Sequence, residues 1–245
     1  MREEIKIKYV GKCLLIESGK EKILVVGDLH LGYEEALNRS GVLVSRQMFD
    51  EIISDFNAIF GEVGKVDKII LLGIILLGDI KHDFGGISRQ EWEDVKNLVN
   101  YLKPFARKII TLRGNHDIIL EPIVDKIGIK LKDYYIWRDF FFSHGDRDFE
   151  EIWDKKIKHL IVGHGHPAIK LREGIKVEKY KCFLSGKFKG KNIIVIPSFI
   201  EYYAGSDPRG GEVFLAWDIN FRNFDVFVVG ENLEVLDFGK LKSLK

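Results

Sequence analysis

A chain of 245 residues and 28.2 kDa is long enough for one large core, and α/β domains commonly reach this size as one unit. With 46% hydrophobic and 31% charged residues, 5 Pro and 24 Gly, the composition excludes disorder, a collagen-like repeat and low complexity. A net charge of +1 gives no whole-chain attraction to a polyanion, and two cysteines, Cys13 and Cys182, are too few for a disulfide framework or a cysteine-built metal cluster. They fit a reducing compartment, so a cytoplasmic location is expected.

The first residues, Met1 to Lys6, are charged where a secretory signal needs an apolar core, so no export is expected. Further along, short runs of Ile, Val, Leu and Phe end at or near Gly. They read as buried strands entering loops at 23–26, 69–77, 109–112, 140–142 and 160–162. The longest of these, 69–77, is far shorter than the roughly 20 residues of a membrane-spanning helix. Within it Leu71-Leu72-Gly73 recurs as Leu76-Leu77-Gly78, and only the second copy leads to Asp, which places Gly73 inside or beside a long strand.

Phe49, Ile52, Ile53, Phe56 and Phe60 recur at spacings of three and four and predict a helix over 45–60. Ser88-Arg89-Gln90-Glu91 forms a capping box ahead of Trp92, Val95, Val99 and Leu102, and Pro104 stops that helix. A third, shorter helix is expected after Asp117. Beyond His166 the pattern becomes strand-rich, with candidates at 168–171, 175–180, 193–196, 213–217 and 226–229. The expected architecture is a single domain over 1–245 of the α/β (α+β) class: a four-layer α/β/β/α sandwich, two packed mixed β-sheets flanked by helices.

Six of the seven histidines, His30, His82, His116, His144, His164 and His166, lie in or beside Gly-bounded loops after apolar runs. Only His159 stands apart, and it reads as a strand-edge residue. Asp28-Leu29-His30 puts two ligand types on the same side of an extended chain, but is weak alone. Gly78-Asp79 is weaker still. Gly114-Asn115-His116-Asp117 offers a hard neutral oxygen and an imidazole at a tight turn. Gly163-His164-Gly165-His166 is stronger, because two imidazoles on an extended, glycine-held backbone reach neighbouring ions. The ordered set outweighs a reading of these residues as structural caps.

In that order and spacing the motifs resemble the calcineurin-like metallophosphoesterase superfamily, from Gly27-Asp28-Leu29-His30 through Ser143-His144-Gly145 to His166. Gly78-Asp79-Ile80-Lys81-His82 is similar to the archaeal and bacterial SbcD-like and ligase- or helicase-associated DNA-repair group. The Arg that follows Gly-Asp in phosphoprotein phosphatases is missing, which disfavours a protein phosphatase.

The resemblance implies that Asp28, His30 and His166 hold one divalent ion, Asn115, His144 and His164 a second, and that Asp79 bridges them. A bridging hydroxide would then attack phosphorus, His116 would protonate the leaving oxygen, and His82 would orient or assist it. Arg113 either contacts the substrate phosphate, beside Asn115, or supports its loop. The oxygen and nitrogen donors suit Mn, Fe, Zn, Co or Ni, and the resemblance favours Mn.

Between 170 and 191 eight basic residues face two acidic ones, beside Tyr180, Phe183 and Phe188. This stretch either guides a DNA or RNA backbone or is a solvated hairpin whose lysines block edge pairing. The segments 197–205 and 207–211 form either a rim to the site or a packed connector. Trp92, Trp137, Trp153 and Trp217 read as packing residues. The expected function is a metal-dependent phosphodiesterase acting on nucleic acid or nucleotides, a DNA-repair nuclease with a helicase or ligase partner in its sharpest form. The alternatives are a phosphatase or phosphodiesterase for small phosphate esters and, last, a non-catalytic interaction module. No membrane partner is expected, and oligomeric state is not determined at this level.

Overall fold

The structure is a computed structural model that describes residues 4–71, 88–115 and 125–244. The first sheet contains β1 (Ile5–Val10), β2 (Cys13–Ser18), β3 (Glu21–Val26), β4 (Val66–Leu71), β5 (Ala106–Leu112) and β6 (Leu131–Lys132) in that spatial order. β1 to β3 form an antiparallel meander and β3 to β6 run parallel, so the sheet is mixed. The second sheet is built from β7 (Tyr134–Trp137), β8 (Phe140–Ser143), β9 (His159–Val162), β10 (Ala168–Glu173), β11 (Lys176–Phe188), β12 (Lys191–Val195), β13 (Asp225–Val229) and β14 (Val235–Lys240). Its order is β14-β13-β11-β12-β9-β8-β7, with β10 paired to β11 off that path. β9 runs parallel to both β8 and β12, and the other pairs are antiparallel.

Alternation on each strand decides which layer a side chain joins. On β2 and β3, Leu14, Ile16, Ile23 and Val25 point between the sheets, where they meet Phe140, Phe142, Ile161, Phe183 and Ile194. Cys13, Leu15, Leu24 and Val26 point the other way, onto two helices. Helix α1 (Tyr33–Arg39) is short, whereas α2 (Met48–Val63) contributes Ile52, Phe56 and Phe60 to that layer, and α3 (Arg89–Leu102) contributes Val95, Leu98, Val99 and Leu102. The capping box before α3 is formed: Glu91 N donates to Ser88 Oγ at 3.1 Å and Ser88 N to Glu91 Oε2 at 2.6 Å. Burial on both faces explains why these strands read as near-continuous apolar runs.

The outer face of the second sheet, with Phe141, Leu160, Cys182, Leu184 and Ile193, is covered by Trp217, Phe221, Phe224 and Leu241 from irregular chain and 3₁₀ turns. The expectation of two packed mixed sheets with helices therefore holds, with α-helices over the first sheet and, among the described residues, irregular chain and 3₁₀ turns where the second helical layer was expected.

The stretch 213–217, expected as a strand, is not one. Ala216 N donates to Gly145 O at 2.8 Å, and Val213, Leu215 and Trp217 lie across the sheet instead of joining it. Six elements among the described residues were not expected, namely β1, β2, β6, β7, β14 and α1, because none of them ends on Gly followed by a ligand-type residue. The continuation of 69–77 past Leu71, Gly73, and most of the helix expected after Asp117 fall outside the described residues.

Candidate metal centre

Each described loop that carries a candidate ligand leaves the C-terminal end of a strand with a parallel neighbour. Asp28 and His30 follow β3, Asn115 follows β5, His144 follows β8, and His164 and His166 follow β9. Open sheets containing parallel strands present ligand sites at that end, and here two sheets do so toward each other.

The chain at these points is not extended, contrary to the expectation from the motifs. His30, His164 and His166 have φ of 46°, 61° and 40°. Non-glycine residues in the left-handed region cost of order 1 kcal/mol or more each, and such strain gathers at functional sites. The physical reason is direction: a left-handed residue turns the loop back, so that side chains two apart in sequence, Asp28 and His30 or His164 and His166, all reach one centre. Gly163 is needed for a different reason, since a Cβ there would lie 3.1 and 3.2 Å from the two carboxylate oxygens of Asp28.

Six candidate residues converge. Asp28 is fully buried; its Oδ2 lies 2.8 Å from His166 Nε2 and accepts from the backbone N of His164 at 2.9 Å, while its Oδ1 lies 3.3 Å from His144 Nδ1. His30 Nε2 and His166 Nε2 are 3.2 Å apart, and one donor atom each from Asp28, His30 and His166 lie within 4.8 Å of one another. On the other side His144 Nε2 sits 3.0 Å from Asn115 Oδ1 and 3.0 Å from His164 Nδ1.

These spacings fit a cation. Nitrogen ligands at about 2.0–2.1 Å from one ion lie about 2.9–3.4 Å from each other at octahedral or tetrahedral angles. A single proton on His144 Nε2 would have to serve both an amide oxygen and a second imidazole nitrogen. Three lone pairs aimed at one point are better satisfied by an ion.

Electrostatics prepares the same atoms. Burial pushes the Asp28 carboxyl upward, but the charges and hydrogen bonds of His166 and His144 outweigh it and hold the group well below the usual carboxylate range. Burial, and then the neighbouring His144, push His164 down to about 4, so its imidazole is neutral with a lone pair available near pH 7.

Asp79, His82 and His116 lie outside the described residues. Arg113 donates its backbone N to Lys132 O at 2.7 Å, and its Nε lies 3.4 Å from Asp133 Oδ1. His159 opens β9 and stacks on Phe140 at 4.4 Å. Trp137 and Trp217 are buried, and Trp92 and Trp153 pack against the apolar clusters.

Residues beside the centre that the motifs did not single out come from the hairpin and the loop after β12. The Tyr203 ring stands edge-on to His166 with centroids 5.5 Å apart. Lys181 Nζ donates to Ser198 Oγ at 2.8 Å and to Tyr203 O at 2.9 Å, and Lys179 Nζ to Gly205 O at 2.7 Å. Ser198 in turn precedes Phe199, whose N donates to Asp28 O at 2.7 Å. The Lys-rich composition of 170–191 was visible in the sequence, but not that two of its lysines face inward.

Residues 21–230 match the family profile described as calcineurin-like phosphoesterase. The chain belongs to this family. It is thereby a metallophosphoesterase-family domain, related to metal-dependent hydrolases that hold two metal ions, and it contains a group of residues able to bind metal. Comparison with curated proteins returned no match.

Solved structures with a similar trace include Vps29 from Entamoeba histolytica. Its wild type complexed with zinc is matched at TM-score 0.38 and 14% identity, over 89% of this chain and 99% of that one. A single mutant of the same protein is matched at TM-score 0.38 and 16% identity, with the same coverage. Similarity at this level carries nothing about activity or partners. Among the described residues of the phosphoesterase, no helix is long and apolar enough to cross a membrane.

Proposed function

We propose that this calcineurin-like phosphoesterase acts as a single domain over 1–245 that hydrolyses phosphodiesters of nucleotide chemistry with two divalent ions, manganese first. The observation that carries the reading is the convergence of Asp28, His30 and His166 on one side and Asn115, His144 and His164 on the other, with Asp28 touching both. The first three residues would hold one ion and the second three the other, with Asp79 between them. The donor set is oxygen and nitrogen without thiolate, which suits Mn and also Fe, Zn, Co or Ni. When bound, such ions polarise the phosphoryl oxygens and lower the pKa of a bridging water toward neutrality.

The remaining steps belong to the chain. His116 protonates the leaving oxygen, His82 orients it, and Asn115 borders the phosphate. Arg113, engaged with Asp133, supports the loop that carries Asn115. A cytoplasmic location is part of the proposal and is supported by Cys13 and Cys182 being free and buried. The finer likeness to the SbcD-like and ligase- or helicase-associated nucleases rests on Gly78 to His82, outside the described residues. A repair helicase or ligase partner belongs to that likeness alone.

A second reading, a small phosphate ester as substrate, is favoured by the hairpin. Lys179 and Lys181 tie down the loop after β12, Lys176 pairs with Glu178, and Lys191 holds two backbone carbonyls. Fewer cations are then available to follow a polymer backbone.

The test is turnover of bis-p-nitrophenyl phosphate, p-nitrophenyl phosphate, single-stranded DNA and RNA by manganese-loaded and chelator-treated protein. Manganese-dependent cleavage of the diester is expected, and His116→Ala should keep both ions while losing about 10²–10⁴-fold in turnover. Cleavage of the monoester alone overturns the diesterase assignment. No cleavage with any of the five metals overturns the enzyme assignment in favour of a binding module.

A further inference from the structure

We infer that Tyr203 is a specificity-determining residue that receives the flat aromatic part of the substrate, a nucleobase or an aryl group, beside the phosphate site. The inference rests on the proposed function and names the chemistry next to the scissile phosphate.

Three observations carry it. First, position: the ring lies 5.5 Å from that of His166, at an interplanar angle of 69°, so it borders the half of the centre formed by Asp28, His30 and His166. Second, exposure: Tyr203 is 37% exposed and belongs to none of the apolar clusters that the described residues form, whereas Phe199 on the same loop is fully buried in the helix-side core. Its neighbour Tyr202 is engaged otherwise, donating its hydroxyl to the buried carboxylate of Glu34 at 3.1 Å. Among the described residues, nothing in the packing of the core requires an aromatic ring at 203.

Third, the residue is fixed at both ends. Its hydroxyl lies 3.1 Å from Ser206 Oγ, and its carbonyl accepts from Lys181 Nζ at 2.9 Å. The loop is clamped onto the ligand segment, because Ser206 N donates to His166 O at 2.8 Å and Gly205, at φ 93°, approaches so closely that a Cβ would lie 2.4 Å from the same carbonyl. A solvent-facing ring held in place beforehand loses little freedom when a ligand stacks on it. Stacking of a base on an aromatic side chain is tolerant of base identity, and removing such a ring weakens binding by roughly 5- to 150-fold. Tyr203 therefore selects for a planar group without selecting among bases.

The test compares adenosine 5′-monophosphate with ribose 5-phosphate, by calorimetric titration of manganese-loaded wild type, Tyr203→Ala and Tyr203→Phe. The two ligands share a sugar phosphate and differ in the base. Wild type should bind the nucleotide about 10-fold more tightly. Tyr203→Ala should collapse that ratio, and Tyr203→Phe should keep it. A general loosening of the loop acts on both ligands alike and does not move the ratio.

A wild type that binds both ligands equally, or a ratio that survives Tyr203→Ala, overturns the role of Tyr203 while leaving the phosphoesterase reading intact. A wild type that binds neither ligand and cleaves no phosphoester overturns both.

Discussion

Asp28 touches a histidine from each half of the centre and also holds the backbone N of His164, so its charge acts on both sides at once. Asp28→Asn preserves volume and removes that charge. Loss of a supporting group at a metal site costs about 10- to 100-fold in affinity, so loss of this carboxylate should lower manganese affinity by at least about 100-fold, measured by competition with a chelating dye.

Asp94 on α3 is a carboxyl of a different kind, remote from the ligand loops in sequence. Burial pushes it up to about 6 from 3.8, opposed by a hydrogen bond from Gln90. A folded-state pKa above the unfolded one means that stability is fully present below pH 3.8 and is lost as pH rises through 6. Asp94→Asn lacks this loss. Relative to wild type its Tm should be unchanged near pH 4 and higher by about 2–4 °C at pH 7.5, read by scanning calorimetry in chelator.

At the scale of elements, the hairpin of β10 and β11 works as a brace. Ala168↔Lys181 and Lys170↔Lys179 are cross-strand partners, so Lys179 and Lys181 share one face, and that face meets the loop 198–206. Burial lowers Lys181 to about 7, partly opposed by Glu201, so the amine acts through its hydrogen bonds to Ser198 and Tyr203 as much as through charge. Lys181→Met keeps the length of the side chain and removes the donors. Amide exchange within 198–206 should then accelerate by about 10-fold while β12 stays protected, consistent with the loss of hydrogen bonds worth about 1 kcal/mol each. Uniform acceleration across the sheet would mean that the lysine supports the whole fold instead of the loop.

At the scale of the whole molecule, the two sheets bring their strand ends together and set Asn115, His144 and His164 at 3.0 Å contacts, alongside the 3.2 Å contact between His30 and His166. A ligand that binds only the native state stabilises it by mass action. Manganese at about 100 times its dissociation constant should add about 2.7 kcal/mol, or roughly 5–10 °C in Tm for a chain of this size. Chelator should reverse the gain. A Tm indifferent to manganese, iron and zinc alike would mean that these residues form a polar cluster and not a metal centre.

Most of the strands, the two longer helices and the capping box at Ser88 were legible in the sequence because each is set by local rules: period, cap residues and apolar runs buried on both faces. The ligand-type residues were legible for the same reason, as side chains placed just past strand ends. What the sequence could not supply was direction. The left-handed turns at His30, His164 and His166, the inward reach of Lys179 and Lys181, and the approach of Tyr203 to His166 all depend on segments far apart in the chain. The failure of 213–217 to form a strand has the same origin, because its apolar residues cover a sheet face whose position is fixed by other strands. Local preferences chose the elements, and only their packing determined which side chains share a space.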